Sequence, residues 1–183
     1  MAQDIKIFKE GIFALNTRRF GTVAEIMIKK LYQFQWSGTR SFDLYDPVKD
    51  ARIEVKFSRA AQEHPDTIRE ENIIDQCMLD AYLENRSLNA DDTDLYPFDS
   101  NIQQIKCRNF DYLFYGLFFM DCVEIYGVCS SDIYGIPGYS DHQHAGNEGE
   151  GQFHLNNSTI EYHRNKYFLK SLTYPELFEL LQN

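Results

Sequence analysis

The sequence contains no apolar run approaching the roughly 18 residues of a membrane-spanning helix, and its opening stretch, MAQDIKIFKEGIF, has neither a long apolar core nor a small-residue cleavage site. A soluble, cytoplasmic chain without membrane contact is therefore expected. Cysteine is sparse. Cys77, Cys107, Cys122 and Cys129 lack the close pairing of a zinc ribbon and, in a cytoplasmic chain, need form no disulfide, so buried thiols are expected. Positive charge is also short, with 18 Lys and Arg against 28 Asp and Glu for a net charge of -10. That balance argues against a uniformly basic, nucleic-acid-coating surface. The deficit is uneven, however: residues 1–60 carry 11 basic and 7 acidic residues, residues 61–100 carry 2 and 11, and the remainder 5 and 10. Positive charge is concentrated in the N-terminal third.

What is present is a large aromatic complement, 12 Tyr and 14 Phe in 183 residues, enough to bury a core without covalent cross-links, and residues 1–183 are expected to form a single domain. Residues 2–15 and 18–33 read as helices; in the second, Phe20, Val23, Ala24, Met27, Ile28 and Leu31 form a stripe of period 3.6. A hairpin from about Ser41 to Ser58 follows, then a helix from Thr67 to about Asn85 and an acidic loop, LNADDTDLYPFDSN. Ile102–Lys106, Asp111–Met120 and Cys122–Cys129 read as strands at the centre of a sheet. Residues 130–157, dominated by Gly, Ser, Asp, His and Asn, read as a long irregular loop, and 158–183 as C-terminal strands with a last helix, Tyr174 to Leu181. The sum is an α/β fold with a mixed central β-sheet flanked by helices.

The hairpin carries the most chemistry. In SFDLYDPVKDARIEVKFS, Pro47, Val48, Lys49 and Asp50 suit a turn. That turn sets Asp46 against Ala51, Tyr45 against Arg52, Leu44 against Ile53 and Asp43 against Glu54. Alternation then collects Phe42, Leu44, Ile53, Val55 and Phe57 on one face, and Asp43, Tyr45, Arg52, Glu54, Lys56 and Ser58 on the other. An ordinary half-buried hairpin also sorts its residues in this way. Like charges placed directly opposite destabilise a sheet, though, and a divalent cation between Asp43 and Glu54 resolves the repulsion. Carboxylates suit Mg²⁺, which takes one or two of them and completes its shell with water and phosphate oxygen. Lys56, two residues beyond Glu54 on the same face, can position the attacking water, assist its deprotonation or stabilise charge on phosphorus.

Asp43, followed after ten residues by Glu54-Val55-Lys56, resembles the PD-(D/E)XK nuclease pattern, in which an acidic residue precedes a Glu-x-Lys pair on adjacent strands. The resemblance covers about residues 18–128. It implies a restriction-endonuclease-like core and a type II site-specific deoxyribonuclease, with Mg²⁺ held by Asp43 and Glu54. It further implies double-stranded DNA as substrate, a homodimer, and a cognate DNA methyltransferase in the same system. The sequence departs from the pattern in one respect: Phe42 stands where the family has Pro, and the nearby proline follows Asp46, a rival ligand. Family members often add an acidic residue from the preceding helix; Glu25 occupies that place, although a surface ion pair with Lys29 explains it equally.

Candidate DNA contacts are Ser58 and Arg59 beyond the motif, Gln104 in NIQQIKC, and the polar segment 130–157, with His142, His144, Asn147, Gln152 and His154. Strand alternation allows only one of Gln103 and Gln104 to face the site. Asn and Gln can pair bidentately with adenine in the major groove. The histidines also raise an HNH-type metal site, with weak flanking support. Tyr162, His163, Arg164, Lys166 and Lys170 read as phosphate contacts or as a solvated strand face. Competing readings are a structure-specific or repair nuclease of the same fold, such as a junction resolvase, and a non-catalytic acidic DNA mimic using the carboxylates of 61–100.

Overall fold

Local signals at the chain's start set the first two elements. Helix α1 (Ala2–Ala14) gives way to Asn16, whose side chain accepts a hydrogen bond from the Arg19 N–H (3.1 Å) and so caps α2 (Thr17–Tyr32). Gln33 ends α2 in a left-handed conformation, φ 59°. The α2 stripe is buried as its period requires: Phe20, Ala24, Met27 and Ile28 are buried, and Val23 and Leu31 pack against them. The computed structural model describes residues 2–63, 66–81, 83–142 and 149–183.

A short strand, β1 (Gln35–Trp36), precedes the hairpin of β2 (Leu44–Asp46) and β3 (Ala51–Arg59). Its register is Leu44 to Ile53, Tyr45 to Arg52 and Asp46 to Ala51, as the turn at 47–50 implies. Asp46 closes that turn by accepting from the N–H groups of Val48 (2.9 Å) and Lys49 (3.2 Å). Helix α3 (Ile73–Asp80) is shorter than the expected 67–85. Its Ile73, Ile74 and Met78 are exposed, so little packing is available to propagate it.

The remaining elements are β4 (Asp99–Ile105), β5 (Tyr112–Phe118), β6 (Cys122–Cys129), β7 (Gly151–Asn156), α4 (Ile160–Tyr167), β8 (Phe168–Thr173) and α5 (Tyr174–Gln182). Thr173 and Glu176 start α5 with a reciprocal capping box. The architecture is α/β: a mixed six-stranded sheet in the order β1-β2-β3-β5-β6-β8, with β3 and β5 parallel and the other neighbours antiparallel.

Helices α1, α2 and α5 cover one face, over an apolar cluster that includes Phe20, Met27, Ile28, Leu44, Ile53, Val55 and Phe118. The other face is covered by a separate antiparallel ribbon of β4 and β7 together with α4; Ile102, Ile105, Phe153 and Leu155 pack there on Leu113, Tyr115 and Tyr126. Full burial of each large apolar side chain contributes on the order of 1.5–3 kcal/mol.

Several expectations are corrected. β4 lies in the ribbon instead of the centre of the main sheet, because its inward residues cap the sheet's face. Residues 130–157 are not one irregular loop: Ser130–Gly135 is a 3₁₀ turn and Gly151–Asn156 is a strand whose Phe153 and Leu155 are fully buried. Phe42 packs against the ribbon-side cluster instead of joining Leu44, since β2 begins only at Leu44 and the strand alternation does not extend back to it. The basic cluster at 162–170 is mostly helical and partly buried: His163 is fully buried, and Arg164 is tied to Glu124. None of the cysteines is buried; Cys77 and Cys129 are exposed, and all four are free. Among the described residues no helix is long and apolar enough to cross a membrane.

Candidate active site

On β3, Ile53 and Val55 turn into the helix-side cluster, so Glu54 and Lys56 project from the opposite face. Their β5 neighbours in the parallel ladder, Leu113 and Tyr115, lie beneath the ribbon, which places the pair at the ribbon's flank. Both are well covered, and Lys56 Nζ lies 2.5 Å from Glu54 Oε1. Ser58, the next residue on this face, is half-buried.

Asp43 sits one residue before β2, just past the ladder's last pair. Its N–H donates to the Ile53 carbonyl (3.1 Å), and its Oδ2 accepts from the Val55 N–H (2.9 Å). Two bonds therefore anchor this carboxylate where β2 leaves β3, beside Glu54. Asp46, its rival, is buried, and its Oδ1 accepts both turn hydrogen bonds.

Glu25 reaches the same group from α2. No hydrogen bond or ion pair engages it among the described residues: Lys29 lies over the Trp36 ring instead, 5.9 Å from its centroid. Burial first, and then Asp43 and Glu54, push the Glu25 carboxyl up to about 7 against the opposing pull of Lys56. Glu54 is likewise raised, chiefly by burial and also by Asp43, while Lys56 and Lys106 draw it back. Burial would lower Lys56, but Glu54, Asp43 and Glu25 outweigh it and hold the ammonium above its ordinary value. Asp43, Glu54 and Lys56 thus all act on Glu25, although it is 18 residues from Asp43 in sequence.

Three carboxylates and one ammonium leave the group with an excess of negative charge. Hard oxygen donors and an unpaired, half-buried Glu25 fit a divalent cation of the Mg²⁺ type. Among the described residues no group of three His, Cys, Asp or Glu side chains is placed to hold a metal ion. An ion that takes only one or two protein carboxylates does not need such a group.

Lys106, just beyond β4, is a residue that motif reading missed. Its charge reaches Glu54, and its Nζ is 2.8 Å from Glu150. No motif marks it; only the fold of the ribbon brings it near β3. Lys106 also lines a cavity of about 630 Å³ with Arg108, Tyr134, Tyr139 and His142, a cavity that none of Glu25, Asp43, Glu54 and Lys56 lines.

The other candidates are dispersed. Arg59 turns towards α1, donating to the carbonyls of Ile12 (2.9 Å) and Leu15 (2.7 Å) with its guanidinium over the Phe20 ring. Gln104 lies at a bulge in β4 with φ 60°, so both Gln103 and Gln104 are exposed, contrary to simple alternation. Gln152 and His154 stand on the outer face of β7, and His154 Nδ1 is 2.8 Å from Asp99. His144 and Asn147 lie outside the described residues. No family model matches the chain, and no curated protein matches it.

Proposed function

We propose that this protein is a Mg²⁺-dependent endonuclease that hydrolyses phosphodiester bonds in double-stranded DNA, a type II restriction enzyme of the PD-(D/E)XK kind. The observation that carries the reading is the placement of Asp43, fixed by the Val55 N–H, beside the Glu54–Lys56 pair, with Glu25 of α2 near enough for Asp43 and Glu54 to raise its carboxyl. An ordinary wet hairpin face has no reason to gather a half-buried, unpaired carboxylate from another element. Asp43 and Glu54 would hold the ion, with Glu25 bordering it.

Bound Mg²⁺ supplies Lewis-acid stabilisation of the charge that builds on the phosphate oxygens. The chain's own residues do the rest. Lys56, held as an ammonium by its carboxylate neighbours, donates to a phosphate oxygen or orients the attacking water. The Val55 N–H fixes Asp43, and Lys56 fixes Glu54, so both carboxylates are oriented before substrate arrives. As water oxygen bonds to phosphorus, the bond from phosphorus to the departing sugar oxygen breaks; the water gives up one proton to solvent, and the sugar oxygen takes one from solvent to leave as a hydroxyl. Sequence-specific cleavage of this kind suits a homodimer on a palindromic site, with a DNA methyltransferase protecting the host's copies.

The test is incubation of mixed plasmid and genomic DNA with Mg²⁺. Wild type should yield discrete fragments, and Glu54→Ala and Lys56→Ala should each lose about 100- to 1,000-fold in rate, the range for removing one preorganised charge-stabilising group. No cleavage of unmethylated duplex with any divalent metal overturns the reading. Undiminished cleavage by Lys56→Ala overturns the site assignment alone.

A further inference from the structure

The β4–β7 ribbon has one face committed to the core and the other turned away from it. Ser100, Ile102, Ile105, Phe153 and Leu155 point inward and are buried. The outward positions in register are Asp99 with Asn156, Asn101 with His154, and Gln103 with Gln152. The bulge at Gln104 adds a further exposed carboxamide where strict pairing would have turned that side chain inward.

The outer face therefore offers Gln103, Gln104 and Gln152, since Asn101 Oδ1 is buried and Asn156 Oδ1 accepts from the Ser158 N–H (3.0 Å) and Oγ (2.7 Å). Its one acidic side chain, Asp99, is taken up by His154 Nδ1 at 2.8 and 2.9 Å. Asn101 Nδ2 donates to Gln152 Oε1 (3.0 Å), which orients the Gln152 carboxamide and leaves its NH₂ free to donate outward.

A surface meant only to stay wet is generally covered with charged side chains. This one offers the neutral carboxamides of Gln103, Gln104 and Gln152. From this we infer that the ribbon enters the major groove and reads adenine, a reading that rests on the DNA-cleaving function proposed above and names the sequence element it selects.

Three physical points support the assignment. Two strands about 4.8 Å apart fit a major groove about 12 Å wide. Asn and Gln pair bidentately with adenine N6 and N7, whereas the commonest guanine contacts use Arg or Lys, which this face lacks. The ribbon also ends at Ile105, one residue before Lys106, whose charge reaches Glu54, so the reading face runs up to the cutting site.

The experiment is selection of duplexes from a random-sequence pool by the whole protein in EDTA, followed by 7-deazaadenine substitution at each adenine of the selected site. That base keeps its pairing but lacks the N7 acceptor. Wild type should enrich sites with adenine at fixed positions and lose about 5- to 150-fold in affinity at those the ribbon reads, the span of one bidentate contact. In Gln103→Leu or Gln152→Leu, sensitivity should vanish at one adenine and persist at the others, with the fold checked by circular dichroism. Sites without fixed adenines, or identical sensitivity in both variants, overturn the ribbon assignment while leaving nuclease activity standing. A protein that retains no duplex and cleaves none overturns both proposals.

Discussion

On the face covered by α1, α2 and α5 the sheet is sealed almost wholly by apolar side chains, with Met27, Ile28 and Leu44 fully buried. On the ribbon face, aromatic packing is mixed with buried polar groups, several of them hydrogen-bonded to one another, while His163 Nε2 and Tyr167 Oη have no hydrogen-bond partner among the described residues. Tyr115 Oη lies 2.8 Å from His163 Nδ1, and Arg164 bridges Glu124 while donating to the Ala90 carbonyl (2.8 Å) and Thr93 Oγ1 (3.2 Å). β3 takes part in both, with Ile53 and Val55 on the first face and Glu54 and Lys56 on the second. The apolar face fixes the strand's position. The polar face holds the well-covered Glu54 and Lys56 at the flank of its covering layer.

If that contrast holds, the largest loss of stability comes from breaking the polar network. Arg164→Ala strands Glu124, a well-covered carboxylate, and should cost about 3–5 kcal/mol in urea unfolding, with the paired Arg164→Met, Glu124→Gln exchange costing less. An equal cost for the single and double variants would show that lost packing, not charge, is responsible.

Next in size is an acid limb from His163, which is fully buried and whose imidazole burial holds down to about 4 from an ordinary 6.5. The unfolded chain binds this proton more readily, so stability is full above about pH 6.5 and falls as pH drops towards 4, by on the order of 3 kcal/mol. Urea midpoints across that window should show the decline in wild type and lose it in His163→Phe; an unchanged decline in the variant contradicts the assignment.

Trimming the apolar face should cost less. Ile53→Val removes one methylene from a site 2% exposed and should lower stability by about 0.5–1.5 kcal/mol with no change in its pH dependence. The smallest effect belongs to the exposed Arg52–Asp111 pair, in which hydrogen bonding from Arg52 holds the Asp111 carboxyl down to about 2. After solvent screening it contributes at most about 1 kcal/mol, present above pH 4 and lost as pH falls through about 2. Asp111→Asn should flatten stability over that interval, and a larger change would move this pair among the structural ones.

The same contrast explains what the sequence could reveal. Leu44, Ile53 and Val55 alternate with charged residues around a Pro-initiated turn, so the hairpin register and the adjacency of Asp43 and Glu54 were legible from period-2 patterning. Phe42 was misassigned because the strand starts two residues later. Phe153 and Leu155 alternate just as cleanly, but Gly, His and Asn around them gave a loop-like composition that concealed β7. The bulge at Gln104 depends on a left-handed glutamine that no local pattern announces. Lys106 and Glu25 reach the site through tertiary packing, and only Glu25 had a family resemblance to suggest it.

The most direct test of the central claim is the single-turnover rate at which Glu54→Gln cuts linear duplex DNA at saturating Mg²⁺, beside wild type. The substitution preserves side-chain shape and removes the charge. The account predicts a fall of about 100-fold or more with thermal stability retained, the scale of one lost charge-stabilising group. A rate equal to wild type would contradict it.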